Sequence, residues 1–384
     1  MKLSWLLVLL FSGLEVNSAA ILSREIHESF AVGDENGEFP TDYRKLVHFA
    51  GLASYAYCIQ HGLTTGKLGA RNSHCPLVKC NYKQYKDIEI KRTFNYNDWG
   101  EVGSGYFAID HNSKRLIMVF RGTASTTDWI SNLDFVPVKY KPLSSTEEFS
   151  KITVKDTTCK GCTVHRGFYN FLRRNSGELI EGVLSQIKKY PDYQLVIVGH
   201  SMGAALSTLT GIEFSLLGYD PLVVSFGAPK VGNKKFAQFS DKIFNTEGIS
   251  DKIYNKQDFD RGLIRVVHYN DVVPTLPPTK AFHHSGFQYY IDKRDIPHKP
   301  QYLVRRGLEK RDLEEDSESD SDTEIEEVEE EVEDIEESYD PNAPVNATSF
   351  RYGNTKLWPE YFGKYEHTYY FIKISGCNPE KETF

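Results

Sequence analysis

The stretch YQLVIVGHSMGAAL, residues Tyr193–Leu206, decides the fold that this sequence predicts. Its residues 195–198 are consecutive, apolar and mostly β-branched, which is typical of a buried strand. A G-x-S-x-G pattern follows at 199–203, and residues 204–206 begin a helical pattern. This succession of strand, tight turn and helix predicts that Ser201 lies on a strained turn with its hydroxyl above the edge of a sheet. Glycines flank the serine because a Cβ there would collide with the neighbouring strand or helix.

The position of Ser201 makes it a candidate nucleophile. The N-terminus of the following helix directs partial positive charge towards the point where an oxyanion would develop. The three-position pattern alone is weak evidence, since an ordinary turn between a strand and a helix can also contain a serine. The flanking strand and helix favour the nucleophile.

The composition predicts a large folded body with one unusual insert. The chain has 384 residues, 40% of them hydrophobic, which suffices for one large α/β domain or two smaller ones. Residues 312–340 contain 18 of the 53 acidic residues and no Lys or Arg, so the rest carries 45 basic and 35 acidic residues, a net charge of +10. We expect a disordered acidic insert at about 308–345. The basic body favours anionic lipid surfaces or acidic polymers, and no motif indicates a nucleic-acid partner.

The N-terminus has the features of a secretion signal. Lys2 precedes the apolar run 3–11, and small residues at 16–20 offer a cleavage site. We therefore expect a signal peptide at 1–18, a loose arm or propeptide at 19–40 and a secreted protein. The apolar run is too short to span a bilayer, and no other stretch approaches the roughly 18 apolar residues that a transmembrane helix needs. An uncleaved N-terminal anchor is the alternative.

The six cysteines indicate three disulfides in a secreted chain. Fifteen pairings of six cysteines are conceivable. Cys75 and Cys80 are close enough for a small loop, as are the two cysteines of CKGC at 159–162, and this choice would leave Cys58 with Cys377. CKGC also resembles half of a zinc or redox motif, but it lacks a second C-x-x-C. Asn346 begins the sequon Asn-Ala-Thr and is a candidate glycosylation site.

Two further stretches lie before the serine turn. Residues 105–120 read as a β-hairpin followed by Arg121-Gly122-Thr123. Thr123 can offer a backbone N–H and a hydroxyl to an oxyanion. The alternative is that these three residues only form the turn that ends the strand. Residues 125–135 form a short amphipathic helix candidate with Trp129 and Ile130 on its apolar side. It suits a lid over an apolar cleft, and a connector packed on the core is the alternative.

Candidates for an acid and a base follow the serine. Strands alternate with helices, which predicts a mainly parallel α/β sheet with helices on both faces. Asp271 comes just after the strand 263–268, at the edge where this architecture collects its chemistry. A nucleophile, acid, base order requires the histidine to come later, and His283, His284, His298 and His367 qualify. We favour His367, at the start of the last apolar run, over His283 and His284.

Six motifs occur together in one order: VFRGT (119–123), GHSMG (199–203), FGAPKVGN (226–233), HYNDVVPTLPP (268–278), HHSGFQYYI (283–291) and EHTYYF (366–371). In that order they resemble the fungal class 3 lipases, an α/β-hydrolase family that also contains feruloyl esterases. The resemblance covers about residues 41–291 and 350–377.

The resemblance implies roles for individual residues. Ser201 would be the nucleophile, Asp271 the orienting acid and His367 the base, while Thr123 and the backbone N–H of Met202 would form the oxyanion hole. His284 would match a histidine near the site that is not the base. Residues 125–133, with Trp129, would match the lid. The same resemblance implies the pairs Cys58–Cys377, Cys75–Cys80 and Cys159–Cys162.

Two features depart from the family pattern. Ala204 stands where the family usually has glycine, and the acidic insert precedes His367. If the insert disturbed the histidine loop, activity would suffer.

The function implied by the resemblance is that of a secreted carboxylic ester hydrolase. We expect a triacylglycerol lipase that acts at a lipid–water interface, with residues 41–384 forming a single domain, no metal or organic cofactor and a monomeric state. The alternatives are a feruloyl-type esterase, a phospholipase A1 and a protein that has kept the fold without activity. The apolar Trp129 and Ile130 favour a lipid-facing lid, and the filled triad and oxyanion positions argue against an inactive protein.

Overall fold

The computed structural model describes residues 39–71, 74–96, 103–123, 136–143, 158–277, 281–308 and 363–377. Several predicted features lie outside these residues: the signal peptide and arm, the lid with Trp129 and Ile130, the acidic insert and Asn346.

Thirteen strands and six α-helices form the described part of the chain. The strands are β1 (Gly66–Lys67), β2 (Glu89–Tyr96), β3 (Gly103–Asp110), β4 (Arg115–Arg121), β5 (Pro137–Lys139), β6 (Thr163–His165), β7 (Gln194–His200), β8 (Leu222–Phe226), β9 (Gly262–His268), β10 (Phe287–Ile291), β11 (Leu303–Arg306), β12 (Tyr369–Tyr370) and β13 (Ile372–Lys373). The helices are α1 (Thr41–Ala56), α2 (Arg166–Lys189), α3 (Met202–Leu216), α4 (Lys234–Phe244), α5 (Thr246–Tyr254) and α6 (Lys364–Thr368).

A nine-stranded sheet organises the fold. Its order is β1-β2-β3-β4-β7-β8-β9-β10-β11. The five central strands from β4 to β10 run parallel, whereas β1, β2 and β3 at one margin and β11 at the other pair antiparallel with their neighbours. The predicted α/β sheet with a parallel centre is confirmed, and the predicted hairpin is β3–β4. The antiparallel margins make the whole sheet mixed.

Helices cover both faces of this sheet because the central strands are apolar on both sides. Along β7, Val196 and Val198 belong to the core on the side of α1 and α5, whereas Leu195 and Ile197 belong to the core on the side of α2, α3 and α4. This alternation is the two-residue period of a strand. Every residue of α3 is buried. The helix that follows Ser201 is therefore fixed within the core rather than lying at the surface.

The turn between β7 and α3 leaves no room for side chains at its two glycines. A Cβ on Gly199 would lie 2.1 Å from the carbonyl oxygen of Gly203, and a Cβ on Gly203 would lie 2.4 Å from the carbonyl oxygen of Phe120. Between the glycines, Ser201 has φ 60° and ψ −131°, a conformation that side-chain-bearing residues rarely adopt. The backbone therefore stores strain at the one position where the sequence predicts a nucleophile.

The structure joins the cysteines as Cys58–Cys377, Cys75–Cys80 and Cys159–Cys162. The first bond spans 319 positions of the sequence and ties the end of α1 to the residues after β13. In the part of the chain that the structure describes, no helix has the length and apolarity required to cross a bilayer.

A glycine pair tests the packing of the turn. We expect Gly199→Ala to lower the free energy of unfolding by about 3 kcal/mol, because its Cβ meets backbone atoms that cannot move aside. Gly182→Ala is the matched control. Its Cβ would meet only Arg92 Nη1, at 3.9 Å, on the exposed side of α2, so we expect a gain of about 0.5–1 kcal/mol. Urea denaturation measures both changes, and similar effects for the two variants would contradict the packing argument.

Candidate active site

The candidate site lies where neighbouring parallel strands end. Ser201 follows β7, Gly227 follows β8 and Asp271 comes three residues after the end of β9. These three strands pair in register as parallel neighbours. Their carboxyl ends therefore meet at one edge, which is where open α/β sheets place their functional groups.

His367 and Asp271 form a buried pair. His367 Nδ1 lies 3.0 Å from Asp271 Oδ1 and 2.8 Å from Asp271 Oδ2. The His367 side chain is 4% exposed and that of Asp271 is fully buried. A carboxylate only accepts hydrogen bonds, so Nδ1 carries the proton and the lone pair of neutral His367 is on Nε2.

Two other groups hold Asp271. The backbone N–H of Val273 donates to Oδ1 over 2.9 Å, and the Tyr370 hydroxyl donates to Oδ2. Burial, and then the charge of Asp271, raise the pKa of Tyr370 well above its ordinary value, so its hydroxyl remains a donor. Gly227 makes room for the pair, since a Cβ there would lie 2.8 Å from Asp271 Oδ2. The carboxylate is therefore held rigidly and faces the imidazole.

Ser201 and His367 are not hydrogen-bonded to each other. Among the described residues, neither Ser201 Oγ nor His367 Nε2 has a hydrogen-bond partner, and both atoms are buried. Catalytic hydrogen bonds are often long or poorly aligned without substrate and shorten in the complex. The structure thus brings the acid and base together and leaves the contact between base and nucleophile open.

The predicted oxyanion-hole residues belong to two segments that adjoin Ser201. Met202 is the first residue of α3, so its N–H belongs to the first turn, where N–H groups have no acceptor within the helix. Thr123 directly follows Gly122. A Cβ added to Gly122 would lie 2.7 Å from Ser201 Cβ. The segment after β4 therefore passes directly against the serine.

Two residues that the sequence reasoning missed contact the back of this site. His200 precedes the serine, and its Nε2 lies 2.8 Å from the carbonyl oxygen of His367. The Tyr57 hydroxyl lies 2.6 Å from His200 Nδ1. Burial, and then the neighbouring His367, lower the pKa of His200 well below its ordinary value, so His200 is neutral. His200 stands inside the quoted GHSMG motif, but only the fold shows what its ring contacts.

The other candidate histidines lie apart from the acid. His284 Nε2 is 2.7 Å from the carbonyl oxygen of Pro274, and His283 and His284 line a small cavity with Arg265. His298 accepts a hydrogen bond from the N–H of Phe371 over 3.0 Å. Of the four histidines after Asp271, His367 is therefore the one that the structure pairs with it. Within the described residues, no group of three His, Cys, Asp or Glu side chains is arranged to hold a metal ion.

Comparisons with known proteins give one consistent result. The family model described as lipase (class 3) matches residues 117–281. The chain is 31% identical over 349 residues to LIH1 of Saccharomyces cerevisiae, a protein provisionally named as a lipase. This match covers 88% of this chain and 95% of LIH1. It is 29% identical over 280 residues to secreted mono- and diacylglycerol lipase 2 of Gibberella zeae, covering 66% of this chain and 63% of that one.

A solved structure extends the likeness to three dimensions. The Lip2 lipase of Yarrowia lipolytica superposes with a TM-score of 0.58 at 29% identity, over 70% of this chain and 86% of that chain. This likeness confirms the predicted α/β-hydrolase fold.

Neutral buried histidines around the site predict a loss of stability in acid. Burial, and then the neighbouring His268, lower the pKa of His298 to about 3, whereas an unfolded histidine titrates near about 6.5. Between these values only the unfolded state takes up the proton. The stability contributed by neutral His298 is thus complete above about pH 6.5 and is lost towards pH 3, by about 1.4 kcal/mol per pH unit.

His298→Asn keeps an acceptor for Phe371 and removes the titration. Between pH 6 and 4.5, we expect the free energy of unfolding of this variant to fall less steeply than that of the wild type. The two slopes should differ by about 1 kcal/mol per pH unit. His61→Asn, at an exposed position, should leave the slope unchanged. Urea titrations at several pH values measure the slopes, and a wild-type slope in His298→Asn would refute the assignment.

Proposed function

The chain belongs to the fungal class 3 lipase family, and from that premise we propose that it is a secreted triacylglycerol lipase that acts at a lipid–water interface. The observation that carries the proposal is the buried Asp271–His367 pair beside a serine on a strained turn. Relatives named as secreted lipases support the extracellular location, as do the three disulfides.

The geometry supports an acyl-enzyme mechanism. His367 Nε2 takes the proton of Ser201 as Oγ attacks the ester carbonyl carbon, and the carbonyl π electrons move to the oxygen. The tetrahedral intermediate collapses, the bond to the alcohol breaks, and the imidazolium of His367 protonates the leaving alcohol. Water then attacks the acyl-enzyme with His367 again as base, which releases the fatty acid and restores Ser201.

Asp271 and the oxyanion donors stabilise the charges of these steps. Asp271 keeps the His367 proton on Nδ1, so that the Nε2 lone pair faces the serine, and it stabilises the imidazolium. The backbone N–H of Met202 and Thr123 donate to the oxyanion. Because the donors are in place beforehand, little reorganisation is needed as the negative charge develops.

The sequence supports a lipid ester as the substrate. The predicted lid presents Trp129 and Ile130, which suits an apolar surface better than a soluble aryl ester. Outside residues 312–340 the chain has a net charge of +10, which favours anionic interfaces.

A mono- or diacylglycerol lipase is the second candidate, because two relatives carry that name. The same triad would serve both activities, so the rates on triacylglycerol and diacylglycerol substrates have to distinguish the two candidates.

Substitutions test the residue roles. We expect Ser201→Ala and His367→Ala each to lower kcat by about 10⁴-fold or more, and Asp271→Asn by about 10⁴-fold through the wrong tautomer of His367. His284→Ala is the control and should keep at least about a tenth of wild-type turnover, because it contacts Pro274 rather than Asp271. Initial rates on p-nitrophenyl butyrate measure all four. An inactive His284→Ala beside an active His367→Ala would overturn the assignment.

The rate on tributyrin across its solubility limit tests the interfacial activity. We expect the rate to rise sharply once droplets form, with no rise for Ser201→Ala. A curve that saturates below the solubility limit would point to an esterase for soluble esters. Emulsions of triolein, diolein and phosphatidylcholine then assign the class, and we expect hydrolysis of triolein. Activity on diolein alone would favour the second candidate.

A further inference from the structure

The base is carried by a piece of chain that the main sheet does not hold. We refer to residues 363–377 as the His367 segment. It contains the five-residue helix α6 and the strands β12 and β13, which pair with each other. In the described part of the chain, neither strand belongs to the nine-stranded sheet. Contacts other than strand pairing must therefore set the position of His367 relative to Ser201.

One of these contacts acts on the backbone of the base itself. His200 is the last residue of β7 and is 1% exposed. Its Nε2 lies 2.8 Å from the carbonyl oxygen of His367, and the two imidazole rings lie 4.7 Å apart at 34°. His200 precedes Ser201, so a single side chain connects the nucleophile turn to the peptide group of the base.

The carbonyl oxygen of His367 decides which nitrogen of His200 carries the proton, and Tyr57 contacts the other nitrogen. A carbonyl oxygen only accepts, so the bond to His367 requires a proton on Nε2 of His200. The lone pair of Nδ1 then accepts from the Tyr57 hydroxyl, 2.6 Å away. Burial raises the pKa of Tyr57, which keeps this hydroxyl protonated. Both ring nitrogens of a neutral His200 are thereby satisfied.

The neutrality of His200 has a chemical consequence. Its ring faces His367, which becomes positively charged during the reaction. A second cation at this distance would oppose that charge, whereas a neutral ring does not. The bond from Nε2 can therefore orient the base without making its protonation harder.

The preceding residue is held in a similar way. His268, at the end of β9, has Nδ1 at 2.7 Å from the carbonyl oxygen of Glu366. Histidines at the ends of β7 and β9 thus approach consecutive peptide groups of the His367 segment.

We propose that His200, fixed by Tyr57, is a positioning residue that sets the orientation of the His367 imidazole. It holds the peptide plane of His367, which determines the direction of the Cα–Cβ bond and so presents Nδ1 to Asp271 and Nε2 to Ser201. The proposal rests on the proposed function, because it concerns the base of that hydrolase. A misplaced base costs turnover rather than binding.

An isosteric pair of variants tests the proposal. His200→Gln keeps an amide N–H donor at about the reach of Nε2, and His200→Met has a similar length without a donor. On p-nitrophenyl butyrate we expect His200→Met to lower kcat about 100-fold with KM within about 3-fold, and His200→Gln to restore kcat to within about 10-fold of wild type. Equal kcat values in the two variants would overturn the proposal.

A second pair of variants, each lacking one tyrosine hydroxyl, tests the proposal without changing His200. It keeps the proposal testable if His200→Met does not fold. Tyr57→Phe deletes the donor to His200, and we expect kcat to fall about 10-fold. Tyr106→Phe is matched, since the Tyr106 hydroxyl is buried and donates over 2.8 Å to the carbonyl of Leu52 in α1, the helix that Tyr57 directly follows. We expect it to lower the thermal unfolding temperature by a similar amount with kcat unchanged. Equal kcat values for both variants would overturn the role of Tyr57.

Hydrogen exchange separates this proposal from the proposed function. We expect amides in peptides from residues 363–377 to exchange about 10-fold faster in His200→Met than in His200→Gln. If the wild type hydrolyses no ester, the proposed function fails, and exchange alone decides whether His200 holds the His367 segment. Equal exchange in both variants would overturn that contact irrespective of activity.

Discussion

The close approach of backbone to backbone around Ser201 is the constraint on which the rest of the structure depends. Gly199 and Gly203 lie so close to each other and to the end of β4 that a Cβ on either would overlap with main-chain atoms. Within this turn Ser201 has a positive φ of 60°, and the chain passes directly into the buried α3. The buried helix packs against β7 and β8. The strained turn persists because the surrounding core over-determines it.

The acid and base depend on the same sheet edge but are held differently. Asp271 follows a central strand, and Val273 and Tyr370 hold its carboxylate. His367 belongs to a segment outside the main sheet and is placed by side chains. The bond to Asp271 is one constraint, the contact from His200 to its carbonyl oxygen is a second, and an ion pair over 3.0 Å between Arg294 and Glu366 is a third. Because these contacts place the base, its position depends little on the length or composition of the residues that precede it. An acidic insert before His367 is therefore compatible with the geometry of the site.

Sequence reasoning succeeded where the signal is local and contiguous. The strand, turn and helix around Ser201 lie within fourteen residues, and the β3–β4 hairpin has its own turn. It missed the short margin strands β1 and β11, because two to four residues without clear alternation carry little periodic signal. The contacts of Tyr57, His200 and Tyr370 join positions about a hundred or more apart, and no single-sequence pattern encodes such distances.

The end of α1 shows why these long-range contacts belong together. Tyr57 contacts His200, which contacts the peptide of His367, and the next residue, Cys58, is bonded to Cys377. Two consecutive residues thus hold the His367 segment. Tyr57 acts through His200 at the catalytic base, and Cys58 acts at the end of the segment. The anchor is firm because α1 is itself deeply buried against the sheet. The disulfide confines the segment and leaves its orientation open, whereas the hydrogen bonds orient it and contribute little energy individually. Their combination explains how a segment outside the sheet can hold a catalytic base accurately.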